Sequence, residues 1–258
     1  GREMMRRRAV LFAATKGLLW LGFASVDARL IEASKASVQT TPRTPSSGGT
    51  STAVTPLSAD DLYRLPRHVL PSHYDLRLEP DISSHSFTGH EVVTLTVVES
   101  TTDLLLNAVD LTVMSATMTG EGQPPREGRV TLEEDRQRCR LTFPSAIRPG
   151  VWKLSLSFRG TLNDKLRGFY RSSYKDEHGA THLLAATQFE ATDARRAFPC
   201  WDEPDFKAVF AVTLAVDPAL TAISNTRVVD DRIENGKRVF RFAESMKMST
   251  YLVAFVVG

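Results

Sequence analysis

From Val151 to Phe158 the chain alternates: Trp152, Leu154, Leu156 and Phe158 are apolar, while Lys153, Ser155 and Ser157 are polar. A period of two puts one apolar face on a core, which requires an extended strand rather than a helix. Val93, Leu95 and Val97 repeat the pattern, as do Phe210, Val212, Leu214 and Val216. Further strands are expected at His73 to Leu78, Leu104 to Ala108, Leu111 to Met118, Arg138 to Phe143, His182 to Phe189 and Lys237 to Phe242. Turn chemistry separates them at Gly120-Glu-Gly-Gln-Pro-Pro, Arg148-Pro-Gly, Asp176-Glu-His-Gly and Asn235-Gly-Lys. Many short strands, short turns and no long helical period predict an antiparallel all-β domain of about 200 residues. A sandwich and an open, saddle-like sheet both satisfy this pattern.

The domain is expected to begin near Leu57. Residues 34–56 are rich in Ser, Thr, Pro and Gly, a composition that cannot offset the entropy of ordering and reads as a flexible linker. Upstream, Arg6 to Arg8 precede the apolar stretch Ala9 to Val26, interrupted by Lys16. That order resembles the basic and hydrophobic regions of a signal peptide, the alternative being a disordered extension. Ser58-Ala-Asp-Asp can cap one short helix through Tyr63 before Pro66 ends it. The expected organisation is thus an N-terminal extension over 1–56 and a β domain over 57–258. The apolar run Tyr251 to Val257 is expected to be a strand, and the chain as a whole a fragment of a longer protein.

The formal net charge of +2 conceals an asymmetry: residues 1–56 hold eight Lys/Arg against three acids, leaving 24 against 27. A mildly acidic body argues against a nucleic-acid surface, which needs a basic face on the domain itself. Cys139 and Cys200 form no C-x-x-C pair. They read as free, partly buried thiols, because nothing in their spacing supports a disulfide.

A hydrolytic metal site needs closely spaced His and carboxylate ligands. His90-Glu91 begins like H-E-x-x-H, but the fifth position is Thr94 and the segment is a strand, where i, i+4 side chains do not converge as they do on a helix. His178 and His182 flank Gly179 in a hairpin, and His68 and His73 bracket Pro71. All of these read as surface or structural residues. No Gly-rich phosphate loop follows a strand, and no G-x-S-x-G elbow occurs. No catalytic residue and no metal ligand is assigned.

The densest chemistry lies in TQFEATDARRAFPCWDEPD, Thr187 to Asp205, with five acids and two adjacent arginines. Buried charges need partners or stay wet, so this is either an ion-pair corner or the wall of a site. If the strand continues from Leu183 to Glu190, Gln188 and Glu190 share one face and Phe189 takes the other. A carboxylate beside an amide suits a primary ammonium group, since both oxygens accept its N–H donors. The alternative is that Glu190 pairs with Arg195 or Arg196. Asp193, Arg195 and Arg196 fit a short helical turn bonded to Asp202 or Glu203, Phe198 and Trp201 fit core plugs, and Pro199 and Pro204 fix turns.

These residues also carry a resemblance. RLPRHVLPSHYDLRLEPD (Arg64 to Asp81), LNDKLRGFYRS (Leu162 to Ser172), TQFEATDARRAFPCWDEPDFKA (Thr187 to Ala208) and MSTYLVAFVVG (Met248 to Gly258) resemble, in that order, the N-terminal domain of zinc aminopeptidases of the family containing aminopeptidase N and puromycin-sensitive aminopeptidase. The puromycin-sensitive branch is the nearer, and residues 1–56 lie outside the resemblance. It implies an antiparallel, saddle-shaped β domain that packs against its own C-terminal catalytic domain. It implies that Gln188 and Glu190 hold the free α-amino group of peptide substrates. It further implies a zinc cofactor in the full-length enzyme, with its ligands and catalytic groups beyond residue 258, so that the fragment alone is inactive. The competing reading is a non-catalytic β-rich binding module on the same scaffold, and an enzymatic alternative is a relative with a lipid-derived substrate, as in the leukotriene-hydrolase branch. A cytoplasmic location is expected from the nearer branch, the alternative being export or membrane anchoring through residues 6–26.

Overall fold

Leu154, Leu156 and Phe158 are fully buried, and Trp152 nearly so, on one face of β8 (Gly150–Thr161). Each such side chain contributes about 1.5–3 kcal/mol through burial, so the period-two pattern fixes which face of the strand meets the core. The computed structural model describes residues 64–258. The expected linker, the signal-like stretch and the short helix at Ser58 to Tyr63 lie outside the described residues.

The alternation recurs in β1 (Val69–Asp81) and β2 (Ser86–Val97), while β11 (Val209–Val216) is covered on both faces. These pair with β4 (Leu111–Gly120), β5 (Arg126–Glu127), β13 (Val228–Glu234) and β14 (Lys237–Phe242) in an eight-stranded sheet of order β13-β14-β11-β1-β2-β8-β4-β5. A second sheet has β3 (Thr101–Asn107), β7 (Arg138–Ile147) and β6 (Arg129–Glu133), in the order β3-β7-β6. A third runs β12-β15-β10-β9, from β12 (Ala222–Ser224), β15 (Phe255–Val257), β10 (Thr181–Gln188) and β9 (Gly168–Lys175). The smaller sheets share one continuous apolar core with the large one, giving an all-β sandwich.

The Asn235-Gly turn closes the β13–β14 hairpin: both residues have positive φ, 50° and 77°, and Glu234 pairs with Lys237. That two-residue geometry favours Asn-Gly because positive φ is tolerated by Asn and free for Gly. The other three expected turns also fall between strands.

Three expectations need correction. One neighbouring pair is parallel, β1 with β11, in register from His73↔Val209 to Leu78↔Leu214; the two strands lie far apart in sequence, so no hairpin forces them antiparallel. Tyr251 to Val257 is not one strand. Thr250–Leu252 forms a 3-10 turn, and strand geometry starts at Phe255. Asn225 breaks the run by donating from Nδ2 to the Leu252 carbonyl at 2.8 Å and accepting the Ala254 N–H at 2.9 Å. Lastly, β10 ends at Gln188 rather than continuing to Glu190.

Candidate functional site

β10 lies between β9 and β15, and its last ladder pair is Gln188↔Gly168. Two features fix that end. Thr187 Oγ1 accepts the Phe255 N–H at 3.0 Å and lies 3.3 Å from the Phe255 carbonyl, to which it donates, so a side chain extends the β10–β15 contact beyond the backbone ladder. Gly168 has φ +65°, and a Cβ there would come within 2.6 Å of Arg196 Cβ, so only glycine lets β9 approach the following turn this closely.

Beyond Gln188, Phe189 turns inward and is buried, while Gln188 and Glu190 are exposed. Both polar side chains are therefore exposed on either side of the buried Phe189. Phe189 meets Phe198 and Phe255 edge-on, with centroids 6.0 and 5.9 Å apart. Such packing adds about 0.5–1.5 kcal/mol per pair beyond burial and anchors the backbone between the two exposed polar side chains.

The chain then folds back. The Asp193 N–H donates to the Phe189 carbonyl at 2.9 Å, a 3-10 turn spans Ala194–Arg196, and Phe198 and Trp201 plug the core as expected. Arg195 Nε donates to Asp202 Oδ2 at 2.9 Å, and its Nη1 reaches Gln137 Oε1 at 3.3 Å. Thr250 Oγ1 donates to Asp202 Oδ1 at 2.6 Å, and the Asp202 N–H donates to Asn107 Oδ1 at 3.1 Å. Arg196 bonds Asp193 at 2.6 Å and also Asp110. Glu203 and Asp205 face Arg67, with Arg64 also against Glu203. The Arg67 guanidinium bonded to Asp205 holds that carboxyl below its usual range.

Arg195 and Arg196 thus have acidic partners other than Glu190, which removes the ion-pair alternative for that residue. Among the described residues, neither the Glu190 carboxylate nor the Gln188 amide has a side-chain hydrogen bond or ion pair. The result is an exposed carboxylate and an exposed amide on a rigid, otherwise charge-matched corner. Asp110, Asn107 and Gln137, which complete the corner, come from distant loops and strands that the local sequence does not connect to it.

Nothing else among the described residues forms a comparable site. No group of three His, Cys, Asp or Glu side chains there is placed to hold a metal ion, so residues 64–258 do not fit a zinc centre. A depression of about 260 Å³ on the large sheet is lined by Asp75, Arg77, His90 and Arg241 among others. It is remote in sequence from Gln188 and Glu190, and Arg77 there is already paired with Glu79 and Glu234. Cys139 and Cys200 are free and buried, and burial pushes the Cys139 thiol up to about 12, which makes it a poor nucleophile. No helix among the described residues is long and apolar enough to cross a membrane.

Comparison with known proteins gives this corner a context. The chain is similar to Aminopeptidase M1-C of Oryza sativa subsp. japonica, 48% identical over 195 residues that cover 76% of this chain and 22% of the relative. It is similar to Puromycin-sensitive aminopeptidase of Caenorhabditis elegans, 43% identical over 206 residues, 79% of this chain and 22% of the relative. Aminopeptidase M1 of Arabidopsis thaliana is 43% identical over 201 residues, with shares of 76% and 22%. The chain therefore spans about a fifth of the length of these relatives. Residues 70–252 match the model of the Peptidase M1 N-terminal domain, and the chain belongs to that family.

Proposed function

We propose that this chain is the N-terminal domain of a zinc-dependent aminopeptidase and that Gln188 and Glu190 supply half of its recognition site for the substrate's free α-amino group. The observation that carries the reading is the unpartnered Glu190 carboxylate, exposed beside Gln188 while Arg195 and Arg196 are engaged elsewhere. An ammonium carries enough N–H donors to give a bond to each oxygen. The carboxylate matches the charge, and the amide oxygen accepts a second N–H. Fixing the amine would fix the first peptide bond relative to the reacting groups, and an acylated N-terminus would offer neither the charge nor the donors. Exopeptidase specificity would follow from this pair.

The partners in this proposal are peptides with a free N-terminus and the enzyme's own C-terminal catalytic domain. Zinc enters as a cofactor whose ligands lie outside residues 64–258, and the role given to Gln188 and Glu190 is independent of how it is held. Cytoplasmic residence is part of the same proposal, drawn from the puromycin-sensitive branch; mass spectrometry of the native N-terminus tests it through the fate of residues 6–26.

In the full-length enzyme, Glu190→Ala should lower kcat/KM for an unblocked peptide by about 10- to 150-fold, the equivalent of one charged hydrogen bond of about 1.5–3 kcal/mol. Activity within twofold of wild type would remove Glu190 from amine recognition.

A further inference from the structure

β2 carries one side chain that contradicts its own face. Glu91 stands in the cross-strand row Val212–Leu76–Glu91–Leu156–Ala116, and the other four members are apolar and buried. Glu91 itself is 0% exposed, and neither carboxylate oxygen has a hydrogen-bond partner. The other described buried acid, Asp202, is fully engaged by Arg195 and Thr250. An ionised carboxylate at Glu91 would be a buried charge without a cation, which is far less favourable there than the neutral acid.

The titratable groups that face Glu91 come from three elements: Tyr74 on β1, Cys139 on β7 and Cys200 in the corner. All three are themselves buried and neutral. Charged groups next to this cluster are Asp202, Glu133 and Arg195, and the arginine is committed to Asp202. Tyr74 joins the large sheet to the corner, and Cys200 next to it ties the corner to β3 of the second sheet. The Trp201 N–H donates to the Tyr74 hydroxyl at 3.3 Å, and Cys200 and Asn107 exchange backbone bonds at 2.7 and 3.0 Å.

We propose that Glu91 is a proton-operated latch: the folded domain holds it as the neutral acid, and its ionisation loosens the seam between the large sheet and the corner that carries Gln188 and Glu190. Burial alone drives its pKa well above the ordinary value of 4.5. The sign follows from proton counting. Above pH 4.5 the unfolded chain releases this proton while the folded domain keeps it, so folding is favoured at low pH and the advantage fades as pH rises toward the folded-state pKa. The latch stands apart from the amine reading, because it is measured on folding rather than on catalysis.

The test is urea unfolding of the full 258-residue chain, followed by tryptophan fluorescence from pH 5 to 8, in wild type, Glu91→Gln and Glu91→Leu. The unfolding equilibrium constant of wild type, divided by that of either variant, should rise with pH by up to about tenfold per unit. A ratio constant within twofold across the range overturns the proposal. So does failure of both variants to fold, because it would mean that the ionised carboxylate is required. Amide exchange at Cys200 and Trp201, corrected for intrinsic pH dependence, should accelerate with pH in wild type but not in Glu91→Gln. Equal acceleration in both would overturn the assignment of the seam.

Discussion

Replacing Asp202 by alanine gives the most direct test of how the corner is held. The Asp202 side chain is 1% exposed and that of Arg195 is 12% exposed, so the pair is shielded from water. The carboxylate accepts three bonds: from Arg195 Nε at 2.9 Å, from the Arg195 N–H at 3.3 Å and from Thr250 Oγ1 at 2.6 Å. Removing one partner of a buried pair costs about 3–5 kcal/mol because the other charge is stranded. Arg195 would keep the Asp202 carbonyl at 3.2 Å and Gln137 Oε1 at 3.3 Å, which argues for the lower end, about 3 kcal/mol. For a domain of this size that loss lowers Tm by about 6–12 °C. Thermal and urea unfolding of the 258-residue chain would measure it. Asp202→Asn, which keeps one acceptor, should fall between. Asp202→Leu combined with Arg195→Met should recover most of the loss, since removing both charges leaves none stranded. A destabilisation below 1 kcal/mol for Asp202→Ala, or additive effects in the double variant, would refute the claim that this pair anchors the corner.

Gly168→Ala should cost about 1–3 kcal/mol, because alanine must adopt a positive φ and clear Arg196; a urea midpoint unchanged from wild type would show that β9 and the turn can separate freely. Thr187→Val keeps the shape but strands the Phe255 N–H and carbonyl, with an expected loss of about 1–3 kcal/mol. In that variant, amide exchange at Phe255 should accelerate more than exchange at Val257, whose strand still pairs with Ala185.

The parts legible in sequence are those where one face of a strand is buried and the other wet. β8 meets that condition, and the period-two pattern located it; β11 was located by the same spacing although its other face is covered too, Ala211 and Ala215 being buried. β13 is a strand in which no residue is buried, so its pattern carries no signal, and only the Asn235-Gly236 turn hints at a hairpin. β9 alternates poorly because its first two residues are both buried. The site was half legible. The exposure of Gln188 and Glu190 on either side of Phe189 follows from alternation, but their freedom from Arg195 and Arg196 does not. That freedom depends on Asp110, 86 residues away from Arg196, and on Asp202, whose return to Arg195 requires the Cys200–Asn107 bridge. Glu91 is legible in the sequence by its parity with Val93, Leu95 and Val97, since an acid on that face is either paired or neutral.

The division of charge in the corner has a consequence for recognition. Of the five acids between Thr187 and Asp205, Asp193, Asp202, Glu203 and Asp205 each face an arginine, and Glu190 does not. Had either nearby arginine been free, it would have competed with an incoming ammonium for the same oxygens, and binding would have had to break an ion pair first. With both committed, in one case to a buried acid, that cost is absent. Phe189, clamped between Phe198 and Phe255, holds the backbone between Gln188 and Glu190, so in the proposed role little ordering of the chain would be needed when a ligand arrives. The scaffold's contribution is therefore to withhold partners from Glu190 as much as to position it, and freeing Arg196, which takes loss of both Asp193 and Asp110, would act on the proposed site by supplying a competitor.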